Sequence, residues 1–564
     1  MDLRIVQLAL SIRITIALLT RTFFQPDEYF QSLEPAHHIV FGYGHLTWEW
    51  MAPQPIRSII YPAINIPVYY FLKLSGLSET WKIGDILLIA CPKILHGCLA
   101  ACTDIFMGKI ARSVLGSDYI STAVFLSLTS FFNAIALSRS LSNSLETSLT
   151  VIAFAYYPWD ASSKLSPQLI FNRYFNSFSI YVKLIIFSAL ACIIRSTNAV
   201  IWLYLYANLL WSVRQHRRIL YIFAREISLS ASLAILFMLA IDSLYYNKLT
   251  LIPLNFLKTN LSSVSLFYGT NPWHYYISQA IPILLTTALP FTLHGIWATI
   301  TSKSPRNTPL KTMLATIIWT VAIYSLAGHK EWRFLHPTLP LLYIFATKSI
   351  VDSFRLKLPR KQNLPKKYLG FLLATAPVSA YVILFYCSAP ISVMSYIRSI
   401  PKGQLNQTTI GVLMPCHSIP GHAYIHRELL AHGRMWALGC EPPLEHQDLS
   451  TYKDQTNVFY ASPVSYLQKY FPKHVNINFP FSEYPATLPG ASSSPLIVDS
   501  FGKIAYPWKH EWPTHLIFFG DLLREEGILD TLGMQGYQEV WKAGREWEGE
   551  GKRKGGVRVW KWSQ

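Results

Sequence analysis

Long apolar runs recur along the chain at 5–22, 84–106, 118–137, 143–158, 178–194, 197–213, 221–245, 277–300, 312–328, 335–350 and 369–390. A helix that crosses a bilayer needs about 17–25 mostly apolar residues. The pattern therefore predicts about eleven transmembrane helices. The first run has no small-residue cleavage site and ends at Phe23, Phe24 and Gln25, so it reads as an anchor and not as a cleaved leader. One further apolar stretch, 58–75, is expected to lie along the interface or within the first long loop. A span there would invert every later loop.

Composition agrees. Of 564 residues, 51% are apolar and only 14% charged, against roughly 25% charged in soluble domains. Mean hydropathy is +0.26. A soluble enzyme and a disordered chain are both excluded by these values. The 49 basic and 31 acidic residues leave a net charge of +18, yet nucleic acid is not the expected partner. Membrane lipids are, because the basic residues sit in alternate short loops: Lys109/Arg112, Lys164/Arg173, Arg214/Arg217/Arg218, Lys303/Arg306/Lys311 and Arg355 to Lys367. The positive-inside rule makes that side cytoplasmic. The segments 24–57, 138–142, 195–198, 246–276, 329–334 and everything after 391 then emerge on the other side. Two acceptor sequons, at Asn260 and Asn406, fall there and are expected to carry N-linked glycans.

The composition changes at about 391. Apolar runs shorten, and short strand patterns appear at Gly411–Met414 and His515–Phe519. Glu539-Val-Trp and Val557-Arg-Val-Trp flank a Gly/Lys-rich stretch and predict a hairpin. Two domains are expected: 1–390, membrane-embedded and carrying a first loop at 23–83, and 391–564, a small mixed α/β domain. Cys416 and Cys440 permit one disulfide if the tail is extracytoplasmic. Cys416, His417, His422 and His426 also have the look of a metal cluster, but no carboxylate or second cysteine completes a recognisable spacing, so no metal is expected.

Chemistry is concentrated on one side of the membrane. Directly after the first run come Asp27 and Glu28, adjacent carboxylates among aromatics, with Gln31 just beyond. Such a pair can supply a base for a sugar hydroxyl; alternatively, Asp27 caps a helix starting at Glu28. A second dense motif runs from His329 to Pro337 (HKEWRFLHP), where His329, Lys330 and Arg333 suit a lipid-linked phosphate. The bland reading is snorkelling of Lys330 and Arg333 to the interface. Arg139, Asn143 and Glu146 in SRSLSNSLE, and Arg195 in RSTN, add polar groups at span ends. Charged groups at membrane depth are functional candidates, while hydroxyls and amides commonly join helices. There is no P-loop, no GxGxxG, no HExxH and no Asp-x-Asp pair. A nucleotide sugar is therefore a poor donor candidate.

FFQPDEYFQSLEPAH, LTWEW, IRSIIYP, SRSLSNSLET and HKEWRFLHPTLPLL together resemble the glycosylphosphatidylinositol (GPI) mannosyltransferases of glycosyltransferase family 22, with the GT-C fold. The likeness extends from about residue 21 to the end, and MPCHSIPGHAYIH and CEPPL resemble the members that add the third mannose. The resemblance implies an inverting enzyme of the endoplasmic reticulum membrane, with its site and tail lumenal. Dolichyl phosphate mannose would be its donor and a two-mannose GPI-precursor glycolipid its acceptor. The new bond would be α-1,2, and no cofactor or metal would be required. It also implies Asp27 as base, Glu28 as its assistant, and His329, Lys330 and Arg333 around the donor phosphate, with Gln31, Arg139, Asn143, Glu146 and Arg195 binding substrate. One departure stands out: Ser196 follows Arg195 where the family pattern has proline.

Three other readings compete. A fourth-mannose GPI enzyme or a dolichol-linked oligosaccharide mannosyltransferase shares the composition. A lipid transporter or flippase would show repeats and ionisable groups near mid-span, whereas here they gather at one face. A structural subunit would tolerate loss of Asp27.

Overall fold

The computed structural model describes residues 2–80, 82–160, 178–304, 307–355, 366–443, 452–486, 497–498, 504–505 and 508–563. The loop cations Lys164, Arg173, Arg306, Lys357, Arg360 and Lys361, and Leu444 of CEPPL, lie outside the described residues.

All eleven apolar stretches carry helix. Among the described residues, five helical segments are long and apolar enough to cross a membrane: Ile83–Val114, Arg217–Tyr246, Tyr276–Thr301, Trp332–Ser353 and Tyr368–Ser399. Others are shorter or interrupted. The 118–137 run leaves the helix at Ser130 (ψ 126°) and resumes as a π-turn at Asn133–Leu137. The 58–75 stretch forms two short helices, Ile60–Ala63 and Ile66–Leu74, of 4 and 9 residues, neither long enough to span.

The chain forms two compact units. The first comprises 1–19, 92–253 and 268–381. Its helices Leu3–Leu19 and Ile83–Val114 approach backbone to backbone, since a Cβ on Gly97 would lie 2.9 Å from the Cα of Ile14. A fully buried ion pair joins them. Arg13 donates through Nε to Asp104 Oδ2 (2.7 Å) and through Nη2 to Oδ1 (2.8 Å). The same guanidinium donates to the carbonyls of Asn133 (3.0 Å) and Ser127 (2.9 Å).

The second unit comprises 20–91, 254–267 and 382–564. Its centre is a five-stranded sheet of β1 (Ile410–Val412), β2 (Met435–Ala437), β5 (His515–Phe519), β6 (Tyr537–Ala543) and β7 (Val557–Trp562), ordered β2-β1-β5-β7-β6. The first three are parallel, and β7 returns antiparallel to β5 and to β6. Strands β3 (Ile497–Val498) and β4 (Ile504–Ala505) form a separate pair. Successive side chains alternate across a sheet. Accordingly Leu516 and Phe518 join one core with Trp436, Phe459 and Tyr466. Ile517 and Phe519 join another with Val393, Met394 and Ile397, and with Tyr29, Phe30 and Leu33 of the first loop. The sheet is thus the floor on which the segment after the first helix rests.

Candidate functional site

Helical structure resumes at Asp27, where the carbonyl of Pro26 accepts from the N–H groups of Tyr29 and Phe30, both at 3.0 Å. Asp27 is thus inside the helix, and the capping geometry expected of it is not the one adopted. A π-turn follows at Tyr29–Leu33. Such bulges rotate the side chains beyond them and recur at functional sites. Asp27 is half-buried, whereas Glu28 is 4% exposed. The start of this segment is tied to the middle of the last long helical segment, since the N–H groups of Arg21 and Phe23 donate to the carbonyls of Ile383 and Cys387, each at 3.0 Å.

Gln31 points to a small charged relay. Its Nε2 donates to Glu49 Oε2 at 3.1 Å, and Arg57 donates to Glu49 Oε1 through Nε (3.0 Å) and Nη2 (2.6 Å). The indole N–H of Trp50 donates to the Phe30 carbonyl at 2.9 Å. LTWEW and IRS therefore brace the Asp27 helix, and Glu49 and Arg57 are site neighbours whose only sequence signal was membership of those motifs.

Glu34 was not foreseen at all. It is fully buried, and its carboxylate accepts from the backbone N–H groups of His422 (2.7 Å), Ala423 (2.7 Å) and His45 (2.9 Å). Burial pushes the carboxyl above its ordinary range, and the three amide donors offset part of that. Gly421 is needed beside it, because a Cβ there would lie 2.3 Å from Glu34 Oε1. Nearby, His37 Nδ1–H donates to the Tyr43 carbonyl (3.1 Å), so its Nε2 accepts from His426 Nδ1–H (3.0 Å). Arg427 clasps Asp85 through two 2.8 Å hydrogen bonds. The first loop and the tail are locked together by these bonds.

The tail cysteines are paired as a Cys416–Cys440 disulfide. Of the residues considered for a metal, only His417 lies with them, all three within 4.8 Å, and neither sulfur is a thiolate. The His426 ring is engaged with His37, and the His422 imidazole stands outside the group, its buried Nδ1 without a hydrogen-bond partner among the described residues.

The remaining candidates gather in the first unit. Arg195 ends the helix Phe178–Ile194 in an extended conformation (φ −143°, ψ 113°). That is the geometry a following proline would impose, so Ser196 preserves the bend without it. The Arg195 side chain pairs with Glu146 (3.1 Å), donates to Ser142 Oγ (3.1 Å), and lies over the Phe334 ring (5.4 Å to centroid). Asn198 Nδ2 donates to the other Glu146 oxygen at 2.9 Å. Arg139 is buried, with Nε donating to the Ile135 carbonyl (2.8 Å). Asn143 is 2% exposed, and its Nδ2 has no partner among the described residues.

The HKEWRFLHP motif is packed inward and does not snorkel. Lys330 is 4% and Arg333 7% exposed. Lys330 Nζ donates to the Asn271 carbonyl and Asn271 Nδ2 donates to the Lys330 carbonyl, both at 2.8 Å. Burial lowers the Lys330 ammonium from its usual value. Arg333 grips Glu331 at two points, Nε to Oε2 (2.5 Å) and Nη2 to Oε1 (2.9 Å). His329 faces two groups that can only accept, the Gly269 carbonyl (3.1 Å) and Glu331 (3.2 Å). Both ring nitrogens therefore donate, and the hydrogen bond to Glu331 raises the imidazole above its ordinary value. Burial alone would raise Glu331; the charge of Arg333 and the hydrogen bond from His329 outweigh it and hold the carboxyl well below the usual range. His329 and Arg333 pair with Glu331 and Arg195 pairs with Glu146, while Lys330 Nζ meets the Asn271 carbonyl, so four basic side chains stand against two carboxylates. An anion is the ligand such a cluster can take.

Asp27, Glu28 and Gln31 thus fall in one unit, and Arg139, Asn143, Glu146, Arg195, His329, Lys330 and Arg333 in the other. Asn260 and Asn406 are both exposed; Asn260 donates to the Phe256 carbonyl at 2.8 Å within the helix Ile252–Leu261.

Residues 4–426 match the model of the Alg9-like mannosyltransferase family. GPI mannosyltransferase 3 of Yarrowia lipolytica is 35% identical over 471 residues, covering 83% of this chain and 83% of the relative. GPI alpha-1,2-mannosyltransferase 3 of Mus musculus is 34% identical over 479 residues, 84% of this chain and 80% of the relative. Among solved structures, ArnT from Cupriavidus metallidurans bound to undecaprenyl phosphate superposes with a TM-score of 0.52 at 11% identity, covering 99% of this chain and 97% of that one. At that identity the likeness concerns the GT-C fold.

Proposed function

The chain belongs to the Alg9-like mannosyltransferase family, and we propose that within it the protein adds the third mannose of the GPI anchor. The observation that carries this reading is the match to GPI mannosyltransferases 3 over four-fifths or more of both chains. Dolichyl phosphate mannose is the proposed donor, a two-mannose GPI precursor the acceptor, and an α-1,2 bond the product. The anion-suited cluster of the first unit supports a lipid-phosphate donor. The proposed location is the endoplasmic reticulum membrane with the tail lumenal. A disulfide between Cys416 and Cys440 is in keeping with an oxidising compartment, and Asn260 and Asn406 are the proposed glycan positions there.

In the proposed reaction the acceptor hydroxyl loses its proton to the Asp27 carboxylate, and its oxygen attacks the anomeric carbon of the donor. The bond from that carbon to the phosphate oxygen breaks with its electron pair on the phosphate. A phosphate monoester has a second pKa of about 6, so it departs without a general acid. Lys330, Arg333 and protonated His329 are assigned to the charge that develops on it. Glu28 assists Asp27, while Gln31, Arg139, Asn143, Glu146 and Arg195 are assigned to substrate positioning.

The test is transfer in microsomes that lack the endogenous third-mannose activity, supplied with wild type or Asp27→Asn, with lipid-linked intermediates resolved by mass. Wild type should convert the two-mannose precursor. Asp27→Asn, accumulating normally, should be slower by at least about 100-fold, the low end of general-base contributions. An untouched precursor with wild type overturns the acceptor assignment. Equal rates overturn the role of Asp27.

A further inference from the structure

His417 has a place in the tail that the proposed reaction does not yet use. It follows β1 in the loop 413–421 and adopts a left-handed backbone (φ +54°), a conformation that residues with a Cβ rarely hold without support. The support is there. The Cys416–Cys440 disulfide precedes it, the Cys416 N–H donates to Thr456 Oγ1 (3.3 Å), and Arg553 Nε donates to Ser418 Oγ (3.3 Å). The imidazole is half-buried and packs on Phe30, with centroids 4.7 Å apart. Phe30 is three residues beyond Asp27 in one helical segment, and residues so spaced share a face. The Asp27 carboxylate also lies within electrostatic reach of the ring.

The tautomer follows from the partners. Nδ1 lies 3.7 Å from Cys440 Sγ, a sulfur that can only accept, so Nδ1 carries the proton. Nε2 is then a lone pair, with no hydrogen-bond partner among the described residues. Burial presses the imidazole down to about 3, with His45 adding to the effect, so the ring is neutral at physiological pH. A neutral acceptor nitrogen and a carboxylate within electrostatic reach of it match two hydroxyls on adjacent carbons of one sugar.

We propose that His417 binds the acceptor sugar, its Nε2 accepting a hydrogen bond from the hydroxyl next to the one that Asp27 deprotonates. This rests on the function proposed above. In an α-1,2 transfer the nucleophile is the hydroxyl on C2 of the acceptor mannose. C1 is engaged in a glycosidic bond, so the neighbouring free hydroxyl is on C3. Asp27 and His417 then grip a cis-vicinal diol, which fixes which oxygen is mannosylated. His417 is a binding residue that sets regioselectivity.

The experiment uses the full-length enzyme in microsomes with two synthetic two-mannose acceptors, one complete and one with 3-deoxymannose at the terminus. Wild type should use the 3-deoxy acceptor with kcat/KM lower by about 10- to 50-fold, the range of one good hydrogen bond to a neutral partner in a desolvated site. His417→Phe should lose a similar factor on the complete acceptor and treat the two acceptors alike, with donor KM unchanged. His417→Gln, whose side-chain carbonyl can accept in place of Nε2, should restore part of the discrimination. A wild type indifferent to the 3-deoxy change overturns the proposal, as does a His417→Phe enzyme that still discriminates. If His417→Phe fails to accumulate, wild type and His417→Gln decide it, the latter being required to retain discrimination. A wild type that transfers to neither acceptor sinks the proposed function instead.

Discussion

Arg13 and Arg195 each pair with a carboxylate in the same unit, the first fully buried and the second half-buried, and their surroundings differ in what they leave unfinished. Around Arg13 the network closes. Asp104 accepts from Arg13 at both oxygens and from Ser127 Oγ (2.6 Å), and Asn133 Nδ2 donates back to the Ser127 carbonyl (3.2 Å). Around Arg195 it does not. In the segment that carries its partner Glu146, Asn143 Nδ2 and Ser138 Oγ are buried without partners among the described residues, and Phe334 lies beneath both Arg195 and Arg333 (5.4 and 5.9 Å). A buried charge in a membrane helix is therefore not in itself a functional mark. The closed pair holds helices together, and the open one leaves hydrogen-bonding capacity unused. Asn133 extends the closed network to His336, its carbonyl accepting from Arg13 and its Oδ1 from His336 Nε2 (2.9 Å). The closed network anchors the end of the segment that begins with His329.

The largest effect should come from breaking the closed pair. Asp104→Ala would leave a guanidinium with no counter-charge at 0% exposure, a change of about 3–5 kcal/mol in comparable buried pairs. The variant should fail to accumulate, or unfold far below wild type in a detergent thermal melt. Replacing both partners, Arg13→Met with Asp104→Leu, should recover much of the loss, because no unpaired charge remains. A single variant as stable as wild type would place the weight of the helix pairing elsewhere.

What the sequence disclosed follows the same division. The Asp27–Glu28 pair, the HKEWRFLHP motif and the strands at 410–412, 515–519 and 537–562 were legible, because each departs from its local composition or follows a period-two pattern. Arg13 was not, since a cation in the middle of the 17-residue helix Leu3–Leu19 has no visible partner until Asp104 is brought beside it. Glu34 was invisible for a related reason. Two of its three partners are backbone amides some 388 residues away, and amides have no sequence signature. The π-turns at Tyr29–Leu33 and Asn133–Leu137 change which side chains face inward without altering the hydrophobic pattern that announces a helix. The parallel order β2-β1-β5 rests on pairings of three residues each, too short for periodicity to reveal.

An intermediate effect is expected from Arg333→Ala, which separates the two kinds of network by kinetics. A charge-assisted hydrogen bond contributes about 1.5–3 kcal/mol, equivalent to roughly 10- to 100-fold in binding. Donor KM should rise by such a factor while acceptor KM and the melting temperature stay near wild type. His329 would still hold Glu331 at 3.2 Å, so the motif keeps one of its internal ties. Unchanged donor kinetics in the purified variant would remove the phosphate role. A collapse in stability like that of Asp104→Ala would make Arg333 another structural arginine.

The smallest change is the sharpest discriminator. Asn143 is 2% exposed with an unpartnered amide donor, and an orphaned buried polar group costs a protein about 1–3 kcal/mol. If that donor is reserved for substrate, Asn143→Ala removes the unsatisfied group and the free enzyme becomes equally or slightly more stable. Its melting temperature should hold or rise by a few degrees, as such a change does in a large chain. Transfer should fall by about three- to tenfold, the effect of one neutral hydrogen bond. Asn143 would then belong with the open network, since a group that completes a fold cannot be deleted with a gain in stability. A lower melting temperature with unaltered transfer would reverse the assignment and align Asn143 with Asn133, an amide that joins helices.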